Sequence, residues 1–391
     1  MTWNDSAMSS KSERSSAAAA SLGRGHRFIN AAMRTLYFGR VPVLDLSRSE
    51  PADRDASPPV DPVSRQRPRL IISSHRNGAI DGHQVLAAFP HAQFLISIQL
   101  VRSWFLRLFI AGIPVVRPKD VERYHLDPSS ATSPVEAGCA HLRRGGDLGV
   151  FPESSSEWGH RPQSYRPGAA RMACTLIDEG VDVEVVPVGL FYSTPDRFRS
   201  RAEVVRGRSV TIPARNGRDF SGWEDAVASA MGSALDEVSV DCPDAQTFAR
   251  IQAEALDVAR TSSDRGATFA GAFLDMQRKR RSEEVTDAAH VDADVSRSTT
   301  APGPGTSLLR WFGLVLMWLF APILAAASFA GARADGRNTV TFFRLLGGFA
   351  AVMVWVPVLI VAAFFWPLVI GIGIVSAICG WLLLGLRRFR L

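Results

Sequence analysis

Forty-two consecutive residues, Leu345–Leu386, carry no charged side chain. No soluble core hides so long an apolar run, because a helix packed on a globular domain is apolar along one stripe only. Crossing about 30 Å of hydrocarbon takes roughly 20 helical residues, so the run is long enough for two passes. Trp366-Pro367 is the natural turn between them. The preceding stretch, Leu308–Ala332, has Arg310 as its one charge and is interrupted by Pro322. Arginines flank every end: Arg310 near the start, Arg333, Arg337 and Arg344 between the runs, and Arg387, Arg388 and Arg390 after them. Basic flanks prefer the cytoplasmic face. That preference is met if the second run is a hairpin and the first is re-entrant; three full passes would leave the last arginines outside. The expectation is a membrane-embedded tail over 307–391, built of two or three helices.

The rest of the chain is polar enough to fold in water. The net charge of +6 over 391 residues comes almost wholly from arginine, since Lys11, Lys119 and Lys279 are the only lysines. This balance favours anionic partners such as lipid headgroups, phosphate esters and CoA. No nucleic-acid partner is expected, because no basic helix interleaved with aromatics occurs. Cys139, Cys174, Cys242 and Cys379 lack CxxC spacing, so neither a disulfide framework nor a zinc site is indicated. Residues 1–25 are Ser/Ala-rich without the apolar stretch of a signal peptide, and read as a disordered leader that leaves the globular part in the cytoplasm.

Residues 26–240 alternate short apolar runs with helical patterns, the mark of an α/β domain with a central, mostly parallel sheet flanked by helices. Strands are expected at Leu70–Ser73, Gln93–Ile98, Ile113–Val116, Leu148–Phe151, Val183–Leu190 and Glu203–Val205. Helices are expected at Gly82–Ala88, Val101–Ile110, Val135–Arg144 and Ala169–Glu179, the last closed by Gly180 as a left-handed residue. An amphipathic helix over His26–Phe38 precedes them, suited to the domain surface or a membrane surface, and Ser47–Pro68 reads as a loop. Asp219–Val238 and Ala245–Arg281 read as surface helices. Residues 241–281 would form a basic helical extension ending in Arg278-Lys279-Arg280-Arg281, and 282–306 a linker.

The chemistry gathers after the first apolar run. Arg69-Leu70-Ile71-Ile72-Ser73 is followed by Ser74-His75-Arg76-Asn77-Gly78-Ala79-Ile80-Asp81. This puts a histidine at the C-terminal end of a strand and a carboxylate one turn later, where open α/β sheets hold their active groups. A carboxylate so placed fixes one imidazole tautomer and stabilises its cation, which makes His75 a competent general base. A loop with two solvated polar residues is the plainer alternative. His83 reads as a helix-surface histidine.

Gly149-Val150-Phe151-Pro152-Glu153-Ser154-Ser155-Ser156 repeats the arrangement, a strand running into a carboxylate. Between the two blocks Gly112-Ile113-Pro114-Val115-Val116-Arg117 delivers an arginine from a strand end. Tyr165-Arg166-Pro167-Gly168 opens a helix, and Val185-Val186-Pro187-Val188-Gly189-Leu190 follows. In this order the four strand-end blocks resemble the phospholipid/glycerol acyltransferase family, with its His-to-Asp, Gly-to-Arg, Phe-Pro-Glu-Gly and Val-Pro-Val-like boxes. The resemblance covers roughly residues 35–215, and the later Ser239–Asp244 and the apolar tail resemble the glycerol-3-phosphate acyltransferase branch. Five residues separate His75 from Asp81 where the commonest family box has four, a spacing that this branch shares. Ser154 stands where the family has glycine, a costly exchange if the position needs positive φ.

The resemblance implies transfer of an acyl group from acyl-CoA or acyl-carrier protein, a co-substrate rather than a bound cofactor, to a hydroxyl of glycerol 3-phosphate or a lysophospholipid. The setting it implies is phospholipid synthesis at the cytoplasmic membrane, with the catalytic domain on the cytoplasmic side. His75 would be the base and Asp81 its orienting partner. Arg117 would grip phosphate, Glu153 would bind the acceptor or organise the Arg117 side, and Ser154 and Gly168 would line the acceptor site. Arg76 and Asn77 would be turn residues that assist binding. Backbone N–H groups around Arg76–Gly78 would meet the oxyanion, and Pro187 and Val188 would line the acyl channel, though core packing explains them equally well. Two rivals stand beside this: a membrane-tethered lipid-binding protein impaired by Ser154, and a metal-dependent hydrolase using His75, Asp81 and His83. No second ligand cluster accompanies the latter in the sequence, and no metal is expected.

Overall fold

Among the described residues, seven strands form one sheet: β1 (Val43–Asp45), β2 (Arg69–Ser73), β3 (Gln93–Ser97), β4 (Ile113–Val115), β5 (Leu148–Val150), β6 (Glu184–Tyr192) and β7 (Ala202–Arg206). Their order across the sheet is β1-β7-β6-β2-β5-β3-β4. The computed structural model describes residues 23–48, 67–98, 106–108, 110–116, 121–123, 125, 133–262, 268–286 and 304–390. The expected leader up to residue 22, most of the Ser47–Pro68 loop, most of the Val101–Ile110 helix, linker residues 287–303 and Arg117 lie outside them.

Every strand pairing is parallel except β6 with β7. The link from Tyr192 to Ala202 is too short for a crossover, so the chain folds back as a hairpin. β1 was not expected: three residues next to a Pro-rich segment carry no alternation to read.

β2 lies in the middle, and its side chains explain the two layers. Leu70, Ile71 and Ile72 are all fully buried. Leu70 and Ile72 join one cluster and Ile71 the other, as the two-residue period of a strand requires. The Ile71 side is covered by α1 (Arg24–Phe38) and α2 (Ile80–Val85) through Tyr37, Phe38, Ile80 and Val85. The other side is covered by α3 (Pro134–Arg143), α4 (Gly168–Asp178), α5 (Phe220–Val238), α6 (Ala245–Thr261) and α7 (Phe269–Thr286). Gly180 takes φ +79° just past α4, as its position predicts. The expectation of surface helices after residue 219 is corrected here. Trp223, Val227, Met231 and Leu235 of α5, and Phe269 and Phe273 of α7, are core residues. The single helix expected over Ala245–Arg281 is two, ending at Thr261 and restarting at Phe269.

Among the described residues, the tail has two helices long and apolar enough to span a membrane, within α10 (Val340–Phe365) and α11 (Pro367–Arg390). They meet at Trp366, the turn anticipated from Trp366-Pro367. Before them come α8 (Pro304–Leu316) and α9 (Ala321–Gly331); the chain bends by 71° between Leu316 and Trp318, and the turn Trp318–Phe320 leads into α9. A backbone break amid apolar surroundings leaves carbonyls without helical partners. Two of them are satisfied by the neighbours: Ser376 Oγ donates to Leu316 O at 2.8 Å and Trp355 Nε1 to Leu319 O at 2.8 Å. Small residues let the helices approach. A Cβ on Gly347 would lie 2.5 Å from the Ala330 Cβ, and one on Gly380 2.5 Å from the Gly313 carbonyl. α9 ends with Gly331 beside Arg344, at the start of α10. The break faces Trp355, about 17 Å further along α10 at 1.5 Å per residue. The bent pair packs along both long helices, α8 against α11 and α9 against α10. The hairpin's open ends meet the α/β domain, through Thr341 to Pro195 O and Trp381 Nε1 to Leu36 O.

Candidate active site

β2 and β5 are neighbours and parallel, with Ile72 opposite Val150, so the segments that follow both strands emerge at one rim. His75 follows β2; Phe151, Pro152 and Glu153 follow β5. The His75 ring stacks on Phe151 with 4.2 Å between centroids, and Phe151 stacks on Phe94 at 5.6 Å. His75 Nδ1 lies 2.9 Å from Asp81 Oδ2. Asp81 is fully buried, while the His75 side chain keeps 16% exposure.

A buried carboxylate survives only if its lone pairs are filled. Asp81 Oδ2 also accepts the backbone N–H groups of Arg76 at 2.6 Å and Asn77 at 2.7 Å, and Oδ1 accepts the Tyr192 hydroxyl at 2.6 Å. Burial, together with the Asp81 charge, pushes the Tyr192 hydroxyl well above its ordinary pKa and keeps it a donor. Held by so many donors, the carboxylate takes the Nδ1 proton of His75 as a further one. Nε2 is then left with the lone pair a base needs. Tyr192 was not anticipated: the strand expected to stop at Leu190 runs on to Tyr192, and it lies beside β2.

Glu153 is a clamp. Its Oε1 accepts the His75 backbone N–H at 2.7 Å and its Oε2 that of Gln163 at 2.9 Å. Burial raises its pKa, and those two bonds pull it back. Arg76 turns inward, donating to Gly159 O at 2.9 Å with its guanidinium 4.6 Å from the Trp158 ring, and burial lowers its pKa to about 10. Asn77 is buried and donates from Nδ2 to Pro195 O at 3.2 Å. The N–H groups of Arg76 and Asn77 hold Asp81, which takes two of the amides of Arg76–Gly78 away from the oxyanion role expected of that stretch.

Beside His75 lies a cavity of about 390 Å³, lined among others by Phe94, Val135, Phe151, Ser154, Arg166 and Gly168. Its lining is mostly apolar and includes Arg166, which the sequence offered only as part of the Pro-Gly helix start. Ser154 takes φ +61°, so the position does need the left-handed backbone that glycine adopts freely. Pro187 and Val188 are buried in β6 and do not line this cavity; Val188 belongs to the core on the Ile71 side. His83, expected on a helix surface, is buried and bonded through Nδ1 to the Asn30 side chain, and desolvation lowers its pKa to about 4. Among the described residues, no three His, Cys, Asp or Glu side chains form a group that could hold a metal ion.

No family model matches the chain. Over 120 residues it is 32% identical to glycerol-3-phosphate O-acyltransferase 1 of Saccharomyces cerevisiae, covering 29% of this chain and 16% of that protein. It is 30% identical over 119 residues to glycerol-3-phosphate O-acyltransferase 2 of the same yeast, with the same coverage. An uncharacterised acyltransferase of Schizosaccharomyces pombe is 27% identical over 154 residues, 35% of this chain and 23% of the relative. The chain thus spans under a quarter of the length of these curated relatives. They support an acyltransferase family for this segment.

Proposed function

We propose that the protein transfers an acyl group from a thioester, acyl-CoA or acyl-carrier protein, to a hydroxyl of glycerol 3-phosphate or a lysophospholipid. The observation that carries this reading is the His75–Asp81 pair at the C-terminal end of β2, beside a cavity whose mostly apolar lining includes Arg166. The acceptor oxygen attacks the thioester carbon as His75 Nε2 takes its proton. The tetrahedral intermediate then expels the thiolate, which leaves protonated by the imidazolium. No protein nucleophile and no resident cofactor take part. Asp81 stabilises the imidazolium, and Glu153 fixes the backbone that carries it. Arg166 offers a planar fork for the acceptor phosphate, and Arg117 keeps that same role by family resemblance.

The tail supports a place at a membrane, where the apolar product partitions. Arg333, Arg337 and Arg344 lie at the domain-side ends of the tail helices, and Arg387, Arg388 and Arg390 follow Gly385 at the end of the second span. With basic ends facing the cytoplasm, the α/β domain is cytoplasmic and the product enters phospholipid synthesis.

The test is turnover of radiolabelled acyl-CoA by the full chain in lipid nanodiscs, with glycerol 3-phosphate, lysophosphatidate and glycerol as acceptors. We expect acylation of a phosphorylated acceptor in preference to glycerol, and Arg166→Ala raising its KM about tenfold. Failure of every acceptor with both acyl-CoA and acyl-carrier protein would overturn the reading.

A further inference from the structure

The membrane hairpin reaches the segment that carries His75. Pro195 O accepts two donors, Asn77 Nδ2 from the segment after β2 and Thr341 Oγ1 from the first turn of α10. Asn338, two residues before α10, donates from Nδ2 to Ser156 O at 2.6 Å and to Ser156 Oγ at 2.8 Å. Ser156 lies in the loop that Glu153 and Glu157 fasten to the His75 backbone, the latter through Glu157 N to His75 O at 3.1 Å. Gly78 has φ +56°, and a Cβ there would sit 3.1 Å from the Asn338 carbonyl. The Trp158 ring takes the Arg76 guanidinium at 4.6 Å and that of Arg337 at 5.6 Å, while Arg337 Nε donates to Asp196 at 2.9 Å.

We infer that Asn338 and Thr341 are positioning residues for the His75–Asp81 pair, so that the tail is a structural part of the active site as well as an anchor. The inference rests on the acyl-transfer reading for its catalytic meaning. Its physical basis is that Thr341 holds the Pro195 carbonyl on which the Asn77 side chain ends, Asn338 holds Ser156 in the loop bonded to the His75 backbone, and the neighbouring Arg337 meets the ring under Arg76. Arg76 ends on Trp158, which also meets Arg337, and Asn77 on the Pro195 carbonyl, which also meets Thr341. Directional bonds shielded from water fix geometry, and a small misplacement of a catalytic group costs large factors in rate. Neither Asn338 nor Thr341 lines the cavity, so substrate affinity is not their business.

The experiment compares wild type, Asn338→Ala, Thr341→Val and Thr341→Ser as full chains in nanodiscs, by hydrogen–deuterium exchange and by acyl-transfer kinetics. In the Ala and Val variants we expect exchange of the Arg76 and Asn77 amides to accelerate tenfold or more, while β6 is unchanged. In the same variants kcat should fall 10- to 100-fold at unchanged KM, and Thr341→Ser should restore both. Unaltered exchange over 74–82 in both variants would overturn the inference, as would a raised KM with kcat intact. An inactive wild type would instead count against the acyl-transfer reading, and the exchange data would still decide the positioning role.

Discussion

At the catalytic rim, one buried carboxylate, Asp81, collects an imidazole, two backbone amides and a phenol, and each bond has a direction. In the tail, helices meet where Gly347 faces Ala330 and Gly380 faces Gly313, contacts made by the absence of side chains. The rim is therefore specified by polar groups that cannot be exchanged, and the tail by volume. The difference predicts different ways of failing. A polar change at the rim should stop chemistry, whereas an added methylene in the tail should loosen packing.

The largest effect is expected from Asp81→Asn, which keeps the shape but offers an amide where donors converge and releases the imidazole tautomer. Steady-state kinetics should show kcat lower by roughly 10³–10⁴-fold. A loss under tenfold would mean that Asp81 only supports the fold. Next comes the pH dependence carried by His83. Its folded pKa of about 4 lies below the ordinary 6.5, so the unfolded chain binds the extra proton first. Stability from this group is complete above 6.5 and is lost as the pH falls toward 4, by roughly 3 kcal/mol at most. Thermal unfolding of His83→Gln should lack this acid-labile component; an identical pH dependence would refute the assignment.

In the tail, Gly347→Val should cost about 1–3 kcal/mol through overpacking against Ala330 and the Ala326 carbonyl, read as a lower unfolding midpoint in nanodiscs. Unchanged stability would show that α9 and α10 do not depend on this close approach. The smallest effect belongs to Ser154→Gly. Relief of the left-handed backbone, partly offset by the freedom glycine adds to the unfolded chain, should stabilise by up to about 1 kcal/mol. A loss of stability would mean that the serine side chain contributes more than its strain costs.

The same contrast governs how much could be read from residues alone. His75, Asp81 and Glu153 follow strands whose apolar runs are plain, and parallel neighbours bring such strand ends together, so their convergence at one rim was legible. Tyr192 and Arg166 were not, because their contribution depends on which strand lies beside which. The backbone amides of Arg76 and Asn77 were assigned to an oxyanion for the same reason: sequence shows that donors exist and not which acceptor takes them. Helices α5 to α7 were placed at the surface because their charged faces dominated the pattern over buried Trp223 and Phe273. In the tail, hydropathy located both long helices and the Trp366 turn, but Ser376 and Trp355 as partners for the broken backbone emerge only from packing.

The most direct measurement is acyl transfer by His75→Ala, folded and embedded in nanodiscs as the wild type is. If the Asp81-tethered imidazole removes the acceptor proton, turnover should fall by at least about 10³-fold with the protein otherwise intact. Transfer at the wild-type rate would contradict that role for His75.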